Sequence, residues 1–109
     1  MMKNRIYIAS PYTGNKEVGV QRQLSMTDKL MNLGFAPFVP LLTHYQDLVH
    51  PRPYDDWMEL DETWLLACHG VLRLDGESEG ADREVALAKE RGIPVFYDTK
   101  SLFDHFKTK

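Results

Sequence analysis

The chain alternates between short apolar runs typical of buried strands and longer stretches in which apolar residues recur at helical spacing. Strands are predicted at residues 5–9, 35–40, 70–74 and 93–97. Helices are predicted at residues 16–33, 55–68, 78–91 and 101–107. Strands that alternate with helices predict an α/β fold, in which right-handed crossovers connect a parallel sheet of four to five strands.

Glycine and proline mark the limits of these elements. Gly34 follows the first helix at the position of a C-cap residue. Pro37 and Pro40 place the second strand at a sheet edge, because proline cannot donate to a ladder. Residues 40–53 are predicted to be a long loop, and Asp55 or Asp56 to cap the helix after it.

Parallel sheets bind ligands at the carboxyl ends of their strands. Three loops are expected to meet at that edge of this sheet. They comprise residues 10–14, 40–53 and 75–80.

The composition agrees with a single domain covering residues 1–109, with a mass of 12.6 kDa. Cys68 is the one cysteine, so an internal disulfide is excluded. No apolar run is long enough to cross a membrane and no signal peptide is visible, so a cytoplasmic protein is expected. The net charge of −3 argues against a nucleic-acid-binding surface.

Acidic residues are concentrated in the middle of the chain, since residues 47–90 contain 12 of them and only 4 basic residues. One interpretation is a set of solvated helix faces, and the other is a carboxylate-rich site. Individual positions are needed to choose between them.

The start of the third helix is one such position. Ser78 and Gly80 leave backbone N–H groups at a helix N-terminus, where an anion is favoured. Glu84 follows Gly80 by one helical turn and faces the same way. The alternative is that Ser78 is only an N-cap and Glu84 a surface residue.

A second acid, Asp61, shares its helix face with Trp57, Trp64 and Leu65. A carboxylate on an apolar face has a perturbed pKa and is a site candidate, unless it lies at the wet edge of the stripe. Tyr7, near the end of the first strand, is a core residue whose hydroxyl could reach such a carboxylate. Two carboxyl groups are the usual requirement for cleaving a glycosidic bond.

The order of these motifs resembles the nucleoside 2-deoxyribosyltransferase superfamily, and in particular a small bacterial and phage branch with an A-S-P-Y loop. The resemblance covers about residues 5–97 and implies a flavodoxin-like, three-layer α/β/α fold. The matching stretches are Tyr7–Gly14, Trp57–Asp61, Ser78–Glu84 and Gly92–Val95.

The resemblance implies that Glu84 attacks the anomeric carbon of a nucleoside, that Tyr7 orients Glu84, and that Asp61 holds the sugar or assists proton transfer. A serine at position 78, where transferases of free nucleosides carry an acid, implies a nucleoside 5′-monophosphate substrate. The resemblance also implies that neither a metal nor an organic cofactor is needed. The substrate-binding and phosphate-binding candidates are Ser10, Pro11, Tyr12, Gly14, His44, Trp57, Ser78 and Gly80.

Relatives often complete their pocket with a neighbouring subunit, which implies a homodimer or higher homo-oligomer for a chain this short. His69 stands where relatives often have aspartate and is expected to be structural. His44, His50 and Asp47 do not form a convincing metal site. The expected core aromatic residues are Phe35, Phe38, Trp64 and Phe96.

Two functions besides glycosidic cleavage remain open. A nucleotide-binding module or sensor of the same fold would use the anion site without chemistry. A structural subunit of a larger assembly would expose an apolar patch. The carboxylate pair distinguishes the enzyme from a binder, because acids repel phosphate.

Overall fold

Four parallel strands form one sheet in a computed structural model that describes residues 2–11 and 16–107, and their order is β2-β1-β3-β4. The strands are β1 (Arg5–Ala9), β2 (Ala36–Phe38), β3 (Gly70–Arg73) and β4 (Val95–Phe96). The helices are α1 (Lys16–Asn32), α2 (Leu41–Val49), α3 (Tyr54–Leu65), α4 (Glu79–Glu90) and α5 (Thr99–Phe106). This is the predicted parallel α/β architecture of the flavodoxin-like type.

The two central strands are buried on both faces, and their alternating side chains separate two helical layers. Ile6, Ile8 and Leu72 pack with α1 and α5 on one face. Tyr7 and Val71 pack with α3 and α4 on the opposite face. The pleat of β1 therefore decides that Tyr7, and not Ile6 or Ile8, points towards the layer that contains Glu84.

Several local predictions are confirmed. β2 is an edge strand paired only with β1 among the described strands, as its prolines indicated. Gly34 follows α1 with a φ of 95°, a left-handed conformation that favours glycine. Ser78 is the N-cap of α4, and its Oγ accepts a hydrogen bond from the Ala81 backbone N–H at 3.1 Å.

The prediction of a loop over residues 40–53 is wrong, because residues 41–49 form α2. Its apolar residues include Leu41, Tyr45 and Leu48, which do follow helical spacing. The prolines at 40 and 51 suggested a loop. They lie just outside the helix, where proline does not interrupt its hydrogen bonds.

Two other details differ from the prediction. α3 begins at Tyr54 after Pro53, so Asp55 and Asp56 lie inside its first turn and neither caps it, although acids there favour the helix dipole. Trp64 is 52% exposed and is not a core residue. It stacks on the half-buried Phe38 at 5.7 Å between ring centroids, at the outer edge of the sheet.

The turn after β3 depends on a glycine. Gly76 has a φ of 120°, and a Cβ there would lie 2.9 Å from Cγ of Pro11. We expect Gly76→Ala to lower the free energy of unfolding by about 3 kcal/mol, through backbone strain and this clash. Urea denaturation measures the loss. Gly34→Ala is the matched control because its Cβ would meet nothing within 4 Å, and it should cost only about 1 kcal/mol. Equal losses would show that the contact with Pro11 contributes nothing.

None of the helices in residues 16–107 combines the length and apolar character needed to span a membrane.

Candidate active site

Glu84 is a buried carboxyl group on the inner face of α4, with only 5% of its surface exposed. The Tyr7 hydroxyl donates a hydrogen bond to its Oε2 atom. The two residues are 77 positions apart in the sequence, and they meet because α4 packs on the Tyr7 side of β1. The predicted pairing of this phenol with this acid is present in the structure.

The surroundings of Glu84 favour its protonated form. The pKa of its carboxyl is raised to about 8, mainly by burial; the Tyr7 hydroxyl lowers it, and the nearby Asp61 carboxylate contributes to the increase. Glu84 therefore holds its proton through most of the neutral range and becomes an anion only in weakly alkaline solution.

Asp61 is the second buried acid, 7% exposed on the inner face of α3. Its Oδ1 atom accepts a hydrogen bond from Thr43 Oγ1 of α2 at 2.6 Å. Burial raises the pKa of this carboxyl to about 6, although the Thr43 hydroxyl lowers it and Glu62 adds a smaller increase. The two acids thus have different pKa values, about 8 for Glu84 and about 6 for Asp61. Such pairs are found at sites of acid–base chemistry.

Both acids line a cavity of about 610 Å³ at the carboxyl ends of the strands. This volume lies within the range of small-molecule sites. Seven of the candidate residues from the sequence line it together: Ser10, His44, Trp57, Asp61, Ser78, Gly80 and Glu84. Tyr7 lies beneath them, fully buried behind Glu84.

Hydrogen-bond donors at this cavity suit an anionic or hydroxyl-rich ligand. Ser78 accepts from Ala81 as a cap, which leaves its own O–H able to donate to a ligand. Ser10 is 8% exposed, and its Oγ has no hydrogen-bond partner within the part of the chain that the structure describes. The N-terminal turn of α4 contributes backbone N–H groups at the same cavity.

The remaining members of the A-S-P-Y loop do not join this cavity in the described structure. Pro11 is buried against the Gly76 turn and does not line the described cavity, so a role in substrate binding stays a prediction. Tyr12 and Gly14 fall outside the described residues.

Sequence reasoning missed four polar residues of the cavity, namely Thr43, Asp47, Tyr54 and Glu79. Asp47 Oδ1 accepts from the Trp57 indole N–H at 2.7 Å. Gly80 has a clear reason to be glycine, since a Cβ there would lie 3.0 Å from the Tyr54 hydroxyl oxygen. Recognising α2 as a helix would have placed Thr43 and Asp47 on one face, one turn apart.

Two other features are not functional centres on this geometry. A groove of about 670 Å³ runs along α1, but its acid, Asp75, is exposed and pairs with Arg22 at 2.6 Å. His69 accepts a hydrogen bond from the Arg5 backbone N–H at 2.8 Å, the structural role expected for it. No metal-binding cluster of three or more His, Cys, Asp or Glu side chains occurs in the ranges 2–11 and 16–107.

The fold is shared with a solved structure of a 2-deoxyribosyltransferase from the psychrotolerant bacterium Bacillus psychrosaccharolyticus, with a TM-score of 0.62. The alignment covers 84% of this chain and 69% of the other at 19% identity, which establishes a likeness of fold. No curated protein matches the sequence. A sequence profile described as a domain of unknown function, DUF7768, matches residues 4–98. This match spans every strand of the sheet and both buried acids, and the chain therefore belongs to the DUF7768 family.

Proposed function

We propose that this protein cleaves the N-glycosidic bond of a nucleoside or nucleoside 5′-monophosphate. The observation that carries the proposal is the buried Glu84 carboxyl, held by Tyr7 at a cavity that also contains Asp61. The deoxyribosyltransferase likeness supports the same class of chemistry through its fold. A purely structural helix would gain nothing from a buried acid whose pKa is raised to about 8.

In the proposed reaction the ionised Glu84 carboxylate attacks the anomeric carbon. A C–O bond to Glu84 forms as the C–N bond to the base breaks, and the departing base nitrogen takes the bonding electrons and then a proton. Tyr7 orients the attacking carboxylate. Asp61 holds the sugar or assists proton transfer to the base.

A second base or water then attacks the same carbon from the open side of the sugar. The bond to Glu84 breaks and its carboxylate is restored. Attack by a base makes the protein a transferase, and attack by water makes it a hydrolase. Both routes retain configuration at the anomeric carbon because two inversions occur.

The favoured substrate is the 5′-monophosphate. Ser78 begins a 12-residue helix whose N-terminus suits a phosphate, and the buried Ser10 hydroxyl is a further donor at the cavity. His44 and Trp57 line the same cavity and are proposed to contact the base or sugar.

The proposed active form is a homodimer or higher homo-oligomer. Leu48 and Val49 at the end of α2 are 69% and 70% exposed, and Leu48 also lines the cavity. A second copy that covered these side chains would narrow the entrance to the site.

Base release measured by liquid chromatography tests the proposal. Nucleosides, deoxynucleosides and their 5′-monophosphates are incubated with the protein, with and without a second free base. Release by the wild type establishes glycosidic cleavage, and dependence on the second base separates transfer from hydrolysis. A complete substrate panel without release, together with measurable nucleotide binding, would contradict the proposal.

That contrary result would support a non-catalytic nucleotide-binding module. Burial favours the uncharged form of Glu84, and an uncharged side chain does not repel a bound phosphate. Covalent labelling distinguishes the two functions, because only the enzyme forms a glycosyl ester on Glu84 that mass spectrometry of a rapidly quenched mixture detects.

The rate of cleavage is expected to follow the ionisation of Glu84. Since only the carboxylate attacks, kcat/KM should rise with pH, reach half of its maximum near pH 8 and level off above about pH 9. Tyr7→Phe should shift this rise to higher pH, because the Tyr7 hydroxyl lowers the pKa of Glu84. Profiles recorded between about pH 5.5 and 9.5 measure the shift.

Tyr97→Phe is the matched control for that experiment, since Tyr97 is 61% exposed and lies outside the cavity that contains Glu84. Its profile should superimpose on that of the wild type. A Tyr7→Phe profile that also superimposes would show that the phenol does not govern Glu84.

A further inference from the structure

Two side-chain hydrogen bonds connect α2 to α3 in a regular register. Thr43 Oγ1 donates to Asp61 Oδ1 at 2.6 Å, and Trp57 Nε1 donates to Asp47 Oδ1 at 2.7 Å. Thr43 and Asp47 are four residues apart on α2, and Trp57 and Asp61 are four residues apart on α3. The two bonds therefore join successive turns of helices that run in opposite directions.

These bonds connect α2 to the helix that carries Asp61. Among its described side chains none is fully buried, and Leu48 and Val49 at its end are largely exposed. The polar contacts with α3 therefore help to fix the position of α2 at the cavity.

The contact with Asp61 has a direct effect on the candidate site. A short hydrogen bond from a neutral hydroxyl to a carboxylate restricts rotation of the carboxyl group. With Oδ1 held by Thr43, the direction of Oδ2 relative to the cavity is set by α2. Asp61 itself belongs to α3, so the orientation of a candidate active-site acid depends on a second helix.

We propose that Thr43 is the positioning residue of Asp61, holding its carboxyl group in the ionised, cavity-facing orientation. The consequence for catalysis rests on the proposed function. The consequence for Asp61 itself does not, because it concerns the free protein.

The charged and titratable groups around Asp61 are compatible with this role. Glu84 faces it from α4 and Glu62 acts on it from α3. His44 and Asp47 of α2, Tyr54 of α3 and Glu79 of α4 line the same cavity. Burial and Glu62 disfavour the Asp61 anion, whereas the Thr43 hydroxyl favours it.

Carbon-detected NMR titration of the Asp61 carboxyl group in the full-length protein tests the proposal without a substrate. Thr43→Val removes the hydroxyl and keeps the shape of the side chain, so the pKa of Asp61 should rise above about 6 by at least about half a pH unit. Thr43→Ser should restore the wild-type value. Asp47→Ala, which removes the acceptor of the Trp57 and Arg52 N–H groups and leaves the Thr43 hydroxyl in place, should not raise it.

The direction of the change separates positioning from general support of the helix. If Thr43 merely attached α2, its loss would admit water to Asp61, and the pKa would fall towards the ordinary value of 3.8. A fall, or no change, in both Thr43→Val and Thr43→Ala would overturn the proposal. Thr43→Ala serves as the second variant if the valine variant does not fold.

Activity provides a separate readout. Once a substrate is identified, Thr43→Val should lower kcat about tenfold with little change in KM. Thr43→Ser should recover most of the wild-type kcat. A protein that releases no base from any nucleotide would overturn the proposed function. The titration would still decide whether Thr43 positions Asp61.

Discussion

Replacing Glu84 by glutamine is expected to reduce base release by at least about a thousandfold, because the reaction loses the atom that bonds to the sugar. Glutamine keeps the size of the side chain and can still accept the hydrogen bond from Tyr7. The loss therefore reports on chemistry and not on packing. It should appear in kcat, with nucleotide binding largely preserved.

The matched control for this variant is Glu90→Gln, the same change at an exposed position near the end of the same helix. It should leave turnover unchanged. Circular dichroism of both variants checks the fold. Turnover by Glu84→Gln within about tenfold of the wild type would exclude Glu84 as the nucleophile, and the glycosyl label expected on position 84 should then be sought elsewhere.

The second large effect concerns stability and pH. Glu84 has a pKa raised from 4.5 to about 8, so between these values the folded protein holds a proton that the unfolded chain has released. The free energy of unfolding must therefore fall as pH rises through this window. At about 1.4 kcal/mol for each pKa unit, the loss approaches about 5 kcal/mol above pH 8.

Asp61 also lowers the free energy of unfolding as pH rises, but over a lower pH range, because its pKa is raised from 3.8 to about 6. Its share of the decrease is complete once the pH exceeds about 6. A fall in stability between pH 6.5 and 9 is thus assigned to Glu84.

Glu84→Gln should remove most of that fall, since a neutral amide has no proton to lose. Urea denaturation at about pH 5.5, 7 and 8.5 should give similar stabilities for the variant and the wild type at the lowest value, and a more stable variant at the highest. Glu90→Gln should follow the wild type throughout. Parallel curves for the wild type and Glu84→Gln would show that Glu84 ionises as easily in the folded protein as in the unfolded one.

The two predictions share one physical cause. A buried carboxyl group that destabilises the fold when it ionises is retained most readily where its ionisation has a use. An inactive but more stable Glu84→Gln variant would show that trade-off directly.

Local sequence signals were sufficient to predict the structure wherever neighbouring residues decide the backbone conformation. Strand-helix alternation predicted the parallel sheet, prolines predicted an edge strand, and Ser78 with Gly80 predicted a helix start. The spacing placed Glu84 on the same face as Gly80, one helical turn away, and the structure shows that this face is the inner face of α4.

Packing decided the features that local signals do not contain. α2 was missed because its flanking prolines are typical of loops, although its apolar spacing is helical. Trp64 shared a predicted stripe with buried residues, yet lies exposed at the sheet edge on Phe38. A periodic stripe shows which way a helix turns, and the neighbouring elements decide how much of that stripe they cover.

The sequence alone thus determined the α/β architecture and the candidate acids, because helix and strand periodicity act over a few residues. The family resemblance implied that Tyr7 contacts Glu84, and the structure contains that hydrogen bond. Only the tertiary structure decided that Thr43 donates to Asp61. Those contacts join residues on different elements, and their geometry depends on how β1, α2, α3 and α4 pack together. The proton affinities of both acids follow from the same packing, since burial is the largest influence on each.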